Sequence, residues 1–213
     1  MSPIYFVSWN IFRFIYALYF RWRVFNSERV PRTGPVILAS NHASYLDPFL
    51  IGSAVRREIN YLAREDLFEY PILGWMLHRW QAVPVNREGS GARGLRAILE
   101  RLLAGGVIIL FPEGTRTKDR ELQPARSGIG LTVIKSTAPV IPVRVFGTFE
   151  AWNRFMYYPR PRRVLVKFGE PMTFEELRAE AKECSKERLK EIYQQVADEL
   201  MAKIAKLQPS RDN

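Results

Sequence analysis

Apolar residues recur along this chain at two different periods. Short runs rich in β-branched residues, Val36 to Ala39, Ile59 to Ala63, Gln81 to Val85, Val107 to Phe111, Val140 to Phe146 and Val164 to Phe168, have the length and composition of buried strands. Stretches of helical spacing stand between them: Pro48 to Val55, Pro71 to Trp80, Arg93 to Leu103 and Gly128 to Ser136. In the third of these, Leu95, Ile98, Leu99, Leu102 and Leu103 share one face, and Gly105-Gly106 supplies the stop. Strand and helix in alternation predict an α/β fold, a single domain with a mixed or largely parallel sheet covered by helices.

Both ends of the chain read as helix. From Ile4 to Phe20 the residues are apolar and aromatic except for a narrow stripe of Asn10, Arg13, Ala17 and Arg21. Twenty helical residues span about 30 Å, barely a bilayer core, and a mid-segment Arg is costly there. The pattern predicts an N-terminal amphipathic membrane-associating helix lying in one leaflet. Trp9, Phe12, Arg13, Phe20, Arg21 and Arg23 are its expected lipid contacts. The alternative, a wide face packed on the domain itself, stays open.

At the other end, Thr173-Phe174-Glu175-Glu176 has the spacing of a capping box, and Ser185 opens a further helix. Its apolar stripe is Ile192, Tyr193, Val196, Leu200, Ile204 and Leu207. The expected organisation is a membrane helix over 1–25, an α/β domain over 26–207 and a loose tail over 208–213.

A length of 213 residues suits one well-packed domain. The net charge of +10 changes the picture more, because it favours polyanions: nucleic acid, anionic lipid or phosphorylated substrates. Cys184 is the only cysteine, so neither an intrachain disulfide nor a cysteine metal site can form, and two histidines exclude a multi-His metal site. His78 lies in an aromatic helical run and is read as packing.

His42 and Asp47 stand five positions apart just after a predicted strand, where reactive groups in α/β folds tend to sit. An imidazole can take a proton from an alcohol and return it to a leaving group, and a carboxylate on one ring nitrogen leaves the other free to do so. Asp before Pro is also an ordinary helix start. The two roles are compatible if one oxygen accepts from His42 and the other from the helix.

A second strand runs into Phe111-Pro112-Glu113-Gly114-Thr115-Arg116, where Gly permits a turn and Arg116 can grip a phosphate through two parallel hydrogen bonds. Taken alone it reads as a surface turn with a local Glu/Arg pair. Beside the His/Asp pair it reads as an anion clamp next to a hydroxyl activator. A basic-aromatic run, Trp152 to Lys167, carries Arg154, Arg160, Arg162, Arg163 and Lys167 without an acidic residue and suits an anionic leaflet.

Asn41-His42-x4-Asp47, Val83-Pro84-Val85-Asn86-Arg87, Phe111 to Arg116 and Ala138 to Val143 resemble, in order, the four blocks of the glycerolipid acyltransferases, and among these the bacterial 1-acyl-sn-glycerol-3-phosphate acyltransferases. The resemblance covers about residues 30 to 170. It implies transfer of an acyl chain from acyl-CoA or acyl-carrier protein to the 2-hydroxyl of lysophosphatidic acid, giving phosphatidic acid in phospholipid biosynthesis, with no cofactor and no acyl-enzyme. His42 is then the base and Asp47 its orienting partner. Arg87, Glu113, Gly114, Thr115 and Arg116 match the acceptor-binding positions, with Arg116 on the phosphate. Arg64 and Arg126 stand where relatives carry Lys, and Thr117 where a Ser is common.

The expected place is an anionic membrane, on the cytoplasmic face in a bacterium. Two alternatives remain: another lysophospholipid or amino-acid lipid as acceptor, or a non-catalytic binder of anionic membrane or nucleic acid. The absence of zinc-finger, helix-turn-helix or basic-zipper patterns argues against nucleic acid.

Overall fold

A computed structural model describes residues 1–85 and 92–210. Its strands are β1 (Arg23–Phe25), β2 (Val36–Ser40), β3 (Ile59–Asn60), β4 (Leu62–Arg64), β5 (Val83–Val85), β6 (Val107–Leu110), β7 (Val140–Phe146) and β8 (Leu165–Phe168). The helices are α1 (Pro3–Leu18), α2 (Asp47–Ala54), α3 (Pro71–Arg79), α4 (Ala92–Leu103), α5 (Ser127–Lys135), α6 (Thr148–Trp152), α7 (Glu175–Glu183) and α8 (Lys186–Lys206).

Six strands form one sheet in the order β1-β8-β7-β2-β6-β3, and β4 with β5 forms a separate parallel pair. All pairings in the large sheet are parallel except β7 with β8, so the sheet is mixed. β2 lies at its centre with every residue buried. Alternation along β2 divides the core: Val36 and Leu38 face the layer containing α1 and α2, while Ile37 and Ala39 face α4, α5 and α8. On the second face α5 crosses α8 so closely that a Cβ at Gly130 would come within 1.9 Å of the Tyr193 carbonyl oxygen. Only glycine admits that contact.

Because β2, β6 and β7 run the same way, their C-terminal ends share one edge. The loops after Ser40, Leu110 and Phe146 therefore meet there, although the three strand ends are far apart in sequence.

Several local expectations need correcting. The predicted strand 59–63 divides at Tyr61: Ile59–Asn60 joins β6, whereas Leu62–Arg64 pairs with β5. The Thr173 capping box does not form. The N-cap of α7 falls one residue later, at Phe174, whose side chain has no acceptor to offer and whose ring is buried in the core. Ser185 does cap α8, its Oγ accepting from the Arg188 N–H at 3.2 Å. Lys167, placed by sequence in a docking run, is buried and donates to the Ser210 carbonyl at 2.6 Å. His78 is exposed, with the edge of Phe68 against its ring.

Four of the six expected lipid contacts on the N-terminal segment point inward. Phe20 is 2% exposed. Phe12 packs on Phe49 and Trp80. The Trp9 indole donates to the Val55 carbonyl at 2.9 Å, and the Arg13 guanidinium donates to that of Ser53 at 2.9 Å while lying over the Trp9 ring. Helix α1 is apolar on nearly every side, so hydrophobicity could not choose its buried face. Ring fit and partners for polar tips chose it: Tyr5, Trp9, Phe12 and Tyr16 go in, and Phe6, Val7, Ile11, Phe14, Ile15 and Leu18 are left exposed. Arg21 and Arg23 are exposed. Among the described residues no helix is long and apolar enough to cross a membrane.

Candidate active site

The first loop at the shared edge is pinned before it turns. The Asn41 side chain accepts from the Val145 N–H at 2.9 Å and donates to the Val145 carbonyl at 3.3 Å, tying the end of β2 to β7. His42 follows, and its Nδ1 lies 2.9 Å from Asp47 Oδ2. That same oxygen accepts from the backbone N–H groups of Ala43 and Ser44, each at 2.7 Å. Three donors on one oxygen of a fully buried carboxylate leave it no rotational freedom.

The expected division of labour between the two oxygens is therefore not seen. Leu46 is the N-cap of α2, and Asp47 Oδ1 has no partner among the described residues. The reason is the tight reversal between His42 and Asp47, which aims the amides before Asp47 at its carboxylate. With Nδ1 donating to that carboxylate, the lone pair of His42 is on Nε2. The Phe111 ring stacks on the imidazole at 3.9 Å and 17° and fixes its plane.

The second loop is laced to the first. Thr117 N–H donates to the His42 carbonyl at 2.8 Å, and His42 N–H donates to Glu113 Oε1 at 3.0 Å. Gly114 turns between them at φ +71°, where a side chain would be strained and would strike Arg126. Glu113 is buried, and desolvation pushes its carboxyl up to about 7. Donors from His42 and Gln123 oppose the shift, while the charges of Asp47 and Asp119 add to it.

Between about pH 4.5 and about 7 the folded protein thus keeps a proton that the unfolded chain has lost, so this group weakens folding as pH rises. Wild type is expected to lose more of its urea midpoint between about pH 5 and about pH 8 than Glu113→Gln does. Equal losses would refute the shift.

His42, Gly114, Arg64 and Arg126 line one pocket of about 350 Å³, whose remaining walls include Leu62, Val85, Ile98, Phe111 and Ile129. Most of its lining residues are apolar, and two arginines belong to it. Arg64 makes a two-pronged pair with Asp66 at 2.9 and 2.7 Å. Arg87 lies outside the described residues. Thr115 is exposed.

Arg116 is not among the pocket-lining residues; its guanidinium lies flat on the Tyr45 ring, 3.5 Å from the centroid, with Nη1 buried and unpartnered. Tyr45 in turn packs on Trp152, whose carbonyl accepts from Ser44 Oγ at 2.6 Å. Sequence reasoning gave no role to Tyr45 or Gln123, took Phe111 only as part of the turn, and placed Trp152 in the docking run rather than at the site. Tyr45 lies between His42 and Asp47, and that position was the one available signal.

A mixed α/β sheet holds an imidazole–carboxylate pair at its strand ends, beside a largely apolar pocket with arginines in its lining, an arrangement whose chemistry suits acid–base work on a hydroxyl group. Comparison with known proteins supplies the family. The family model described as Acyltransferase matches residues 21–146, and the chain belongs to this family.

A chloroplastic 1-acyl-sn-glycerol-3-phosphate acyltransferase of Brassica napus is 31% identical over 124 residues, 57% of this chain and 36% of that one. The Bacillus subtilis protein of the same description is 26% identical over 164 residues, 76% of this chain and 79% of that one. The crystal structure of the 1-acyl-sn-glycerophosphate acyltransferase of Thermotoga maritima superposes with a TM-score of 0.71 at 25% identity, covering 98% of this chain and 81% of that one. The chain thus spans about a third of the length of the Brassica relative.

Proposed function

We propose that the chain is a membrane-associated O-acyltransferase that moves an acyl group from the thioester of coenzyme A or acyl-carrier protein to the 2-hydroxyl of 1-acyl-sn-glycerol 3-phosphate, giving phosphatidic acid. The observation that carries the reading is the Asp47-oriented His42 in the lining of a largely apolar pocket that also contains Arg64 and Arg126. Nε2 of His42 takes the proton of the acceptor hydroxyl as its oxygen attacks the thioester carbonyl carbon. The carbon–sulfur bond breaks, the imidazolium returns the proton to sulfur, and a free thiol and a new ester leave. Asp47 stabilises the imidazolium throughout. No cofactor enters this scheme.

The acceptor's phosphate suits the arginines, with Arg116 held on Tyr45 as a flat two-pronged donor. An aliphatic chain suits the apolar pocket walls. Access to a lipid substrate is assigned to the exposed face of α1, with Phe14 and Leu18 each 66% exposed, and to the neighbouring loop that bears Phe155, Tyr157 and Tyr158. The loop is joined to α1 by the Tyr19 hydroxyl, which donates to the Pro159 carbonyl at 3.0 Å.

The test is product analysis by mass spectrometry, with lysophosphatidic acid, a headgroup-bearing lysophospholipid and a lyso amino-acid lipid each offered a mixture of acyl-CoA and acyl-carrier-protein donors. Phosphatidic acid is the expected product. Acylation of only the other acceptors would overturn the acceptor assignment, and no thioester-dependent product at all would overturn the activity.

A further inference from the structure

A second basic site lies at the opposite edge of the sheet from His42. Arg57 binds the carbonyls of Pro31, Gly34 and Gly105 at 2.7, 2.7 and 2.8 Å, just ahead of β2 and β6. It is separated from the His42 loop by the length of β2, about 17 Å at the usual rise per residue. Beside it a cleft of about 620 Å³ opens between α1, β1 and the segment after α2, lined by Arg13, Arg32, Arg56 and Arg57 together with Trp22 and Glu28.

Four arginines and one carboxylate thus share the lining of the cleft. Arg57 is occupied by its three carbonyls, and Arg13 by the Ser53 carbonyl and the faces of Trp9 and Trp22. Arg32 and Arg56 are exposed and make no hydrogen bond or ion pair with any described residue. Burial, together with the charge of Arg56, pushes the Arg13 guanidinium below its ordinary range, a repulsion that an anion in the cleft would relieve.

The position of Arg13 on α1 indicates which anion. At about 100° per residue it falls between the inward stripe of Tyr5, Trp9 and Tyr16 and the outward stripe of Phe14 and Leu18. A helix lying in a leaflet holds such a flank at headgroup depth, where arginine and the amphipathic indole of Trp22 are both at home.

We propose that this cleft takes the phosphate headgroup of an anionic phospholipid in the leaflet on which α1 lies, as a second lipid site distinct from the acceptor site. The assignment rests on the membrane reading of α1.

Flotation of the full chain with vesicles tests it, using phosphatidylcholine alone and phosphatidylcholine with one-fifth phosphatidylglycerol. Arg32→Gln/Arg56→Gln is expected to keep wild-type binding to the neutral vesicles and to lose roughly five-fold per charge, roughly 25-fold in all, on the anionic ones. Arg101→Gln/Lys135→Gln removes the same charge from α4 and α5, beneath the other face of the sheet, and is expected to bind both vesicles as wild type does.

Wild-type preference for anionic vesicles in the Arg32/Arg56 variant would overturn the cleft assignment, as would an equal loss in the α4/α5 control. Phe14→Ser/Leu18→Ser separates the two readings, because it is expected to abolish binding to both vesicles. Persistence of binding there would overturn the α1 reading and this assignment with it.

Discussion

His42→Ala is expected to lower acyl transfer to lysophosphatidic acid by about 10³-fold or more, with folding and vesicle binding retained. The magnitude follows from what a positioned base contributes, typically about 10²–10⁴-fold, and here no second imidazole is available at the site. The variant is cleaner than one at Asp47. Removing the Asp47 carboxylate would also strip the Ala43 and Ser44 amides of their acceptor inside the core, so lost activity would be confounded with lost stability. The His42 side chain is partly exposed, and its ring contact is with Phe111 at the pocket wall, so its loss leaves space that opens to solvent. Initial rates with a radiolabelled thioester, read beside a thermal melt, decide the matter. Near-normal turnover in a folded variant would end the proposed mechanism.

Arg116→Ala is expected to act on the acceptor instead. A charge-assisted pair of hydrogen bonds to a phosphate is worth about 1.5–3 kcal/mol, so the KM for lysophosphatidic acid should rise roughly 10- to 100-fold while donor KM stays near wild type. Arg116→Lys should recover only part of the loss. Lysine keeps the charge but neither lies flat on Tyr45 nor offers two parallel donors. Full recovery by lysine would show that charge alone matters there, and an unchanged acceptor KM in the alanine variant would remove Arg116 from the phosphate site.

Much of the core was legible because it is written at two simple periods. The strands around β2, the stripe of α4 and the long stripe of α8 each follow from residues that are close in sequence, and the structure places them as the pattern predicts except at Leu103, which ends α4 85% exposed. Expectations failed where a residue had two uses. Burial of the Phe174 ring in the core puts that residue, not Thr173, at the start of α7, and Tyr61 interrupts a run of strand-forming residues because its neighbours pair with different sheets. On α1 the hydrophobic pattern carried almost no directional information, so Trp9, Phe12, Arg13 and Phe20, expected at the lipid, pack inward instead.

The same division holds for the candidate site. Its acid–base residues and its turn were visible as residue types in order: a His and an Asp after one strand, then Glu, Gly, Thr and Arg after another. Those identities are local, and spacing along the chain is enough to find them. Tertiary structure alone decided that one carboxylate oxygen takes all three donors, that Glu113 holds the His42 backbone, that Arg116 rests on Tyr45, and that a second group of arginines gathers beside α1. Each of these depends on which segments the parallel strands and the packed helices bring to one edge. Proximity of that kind is set by the summed packing of the whole core, and no short stretch of sequence encodes it.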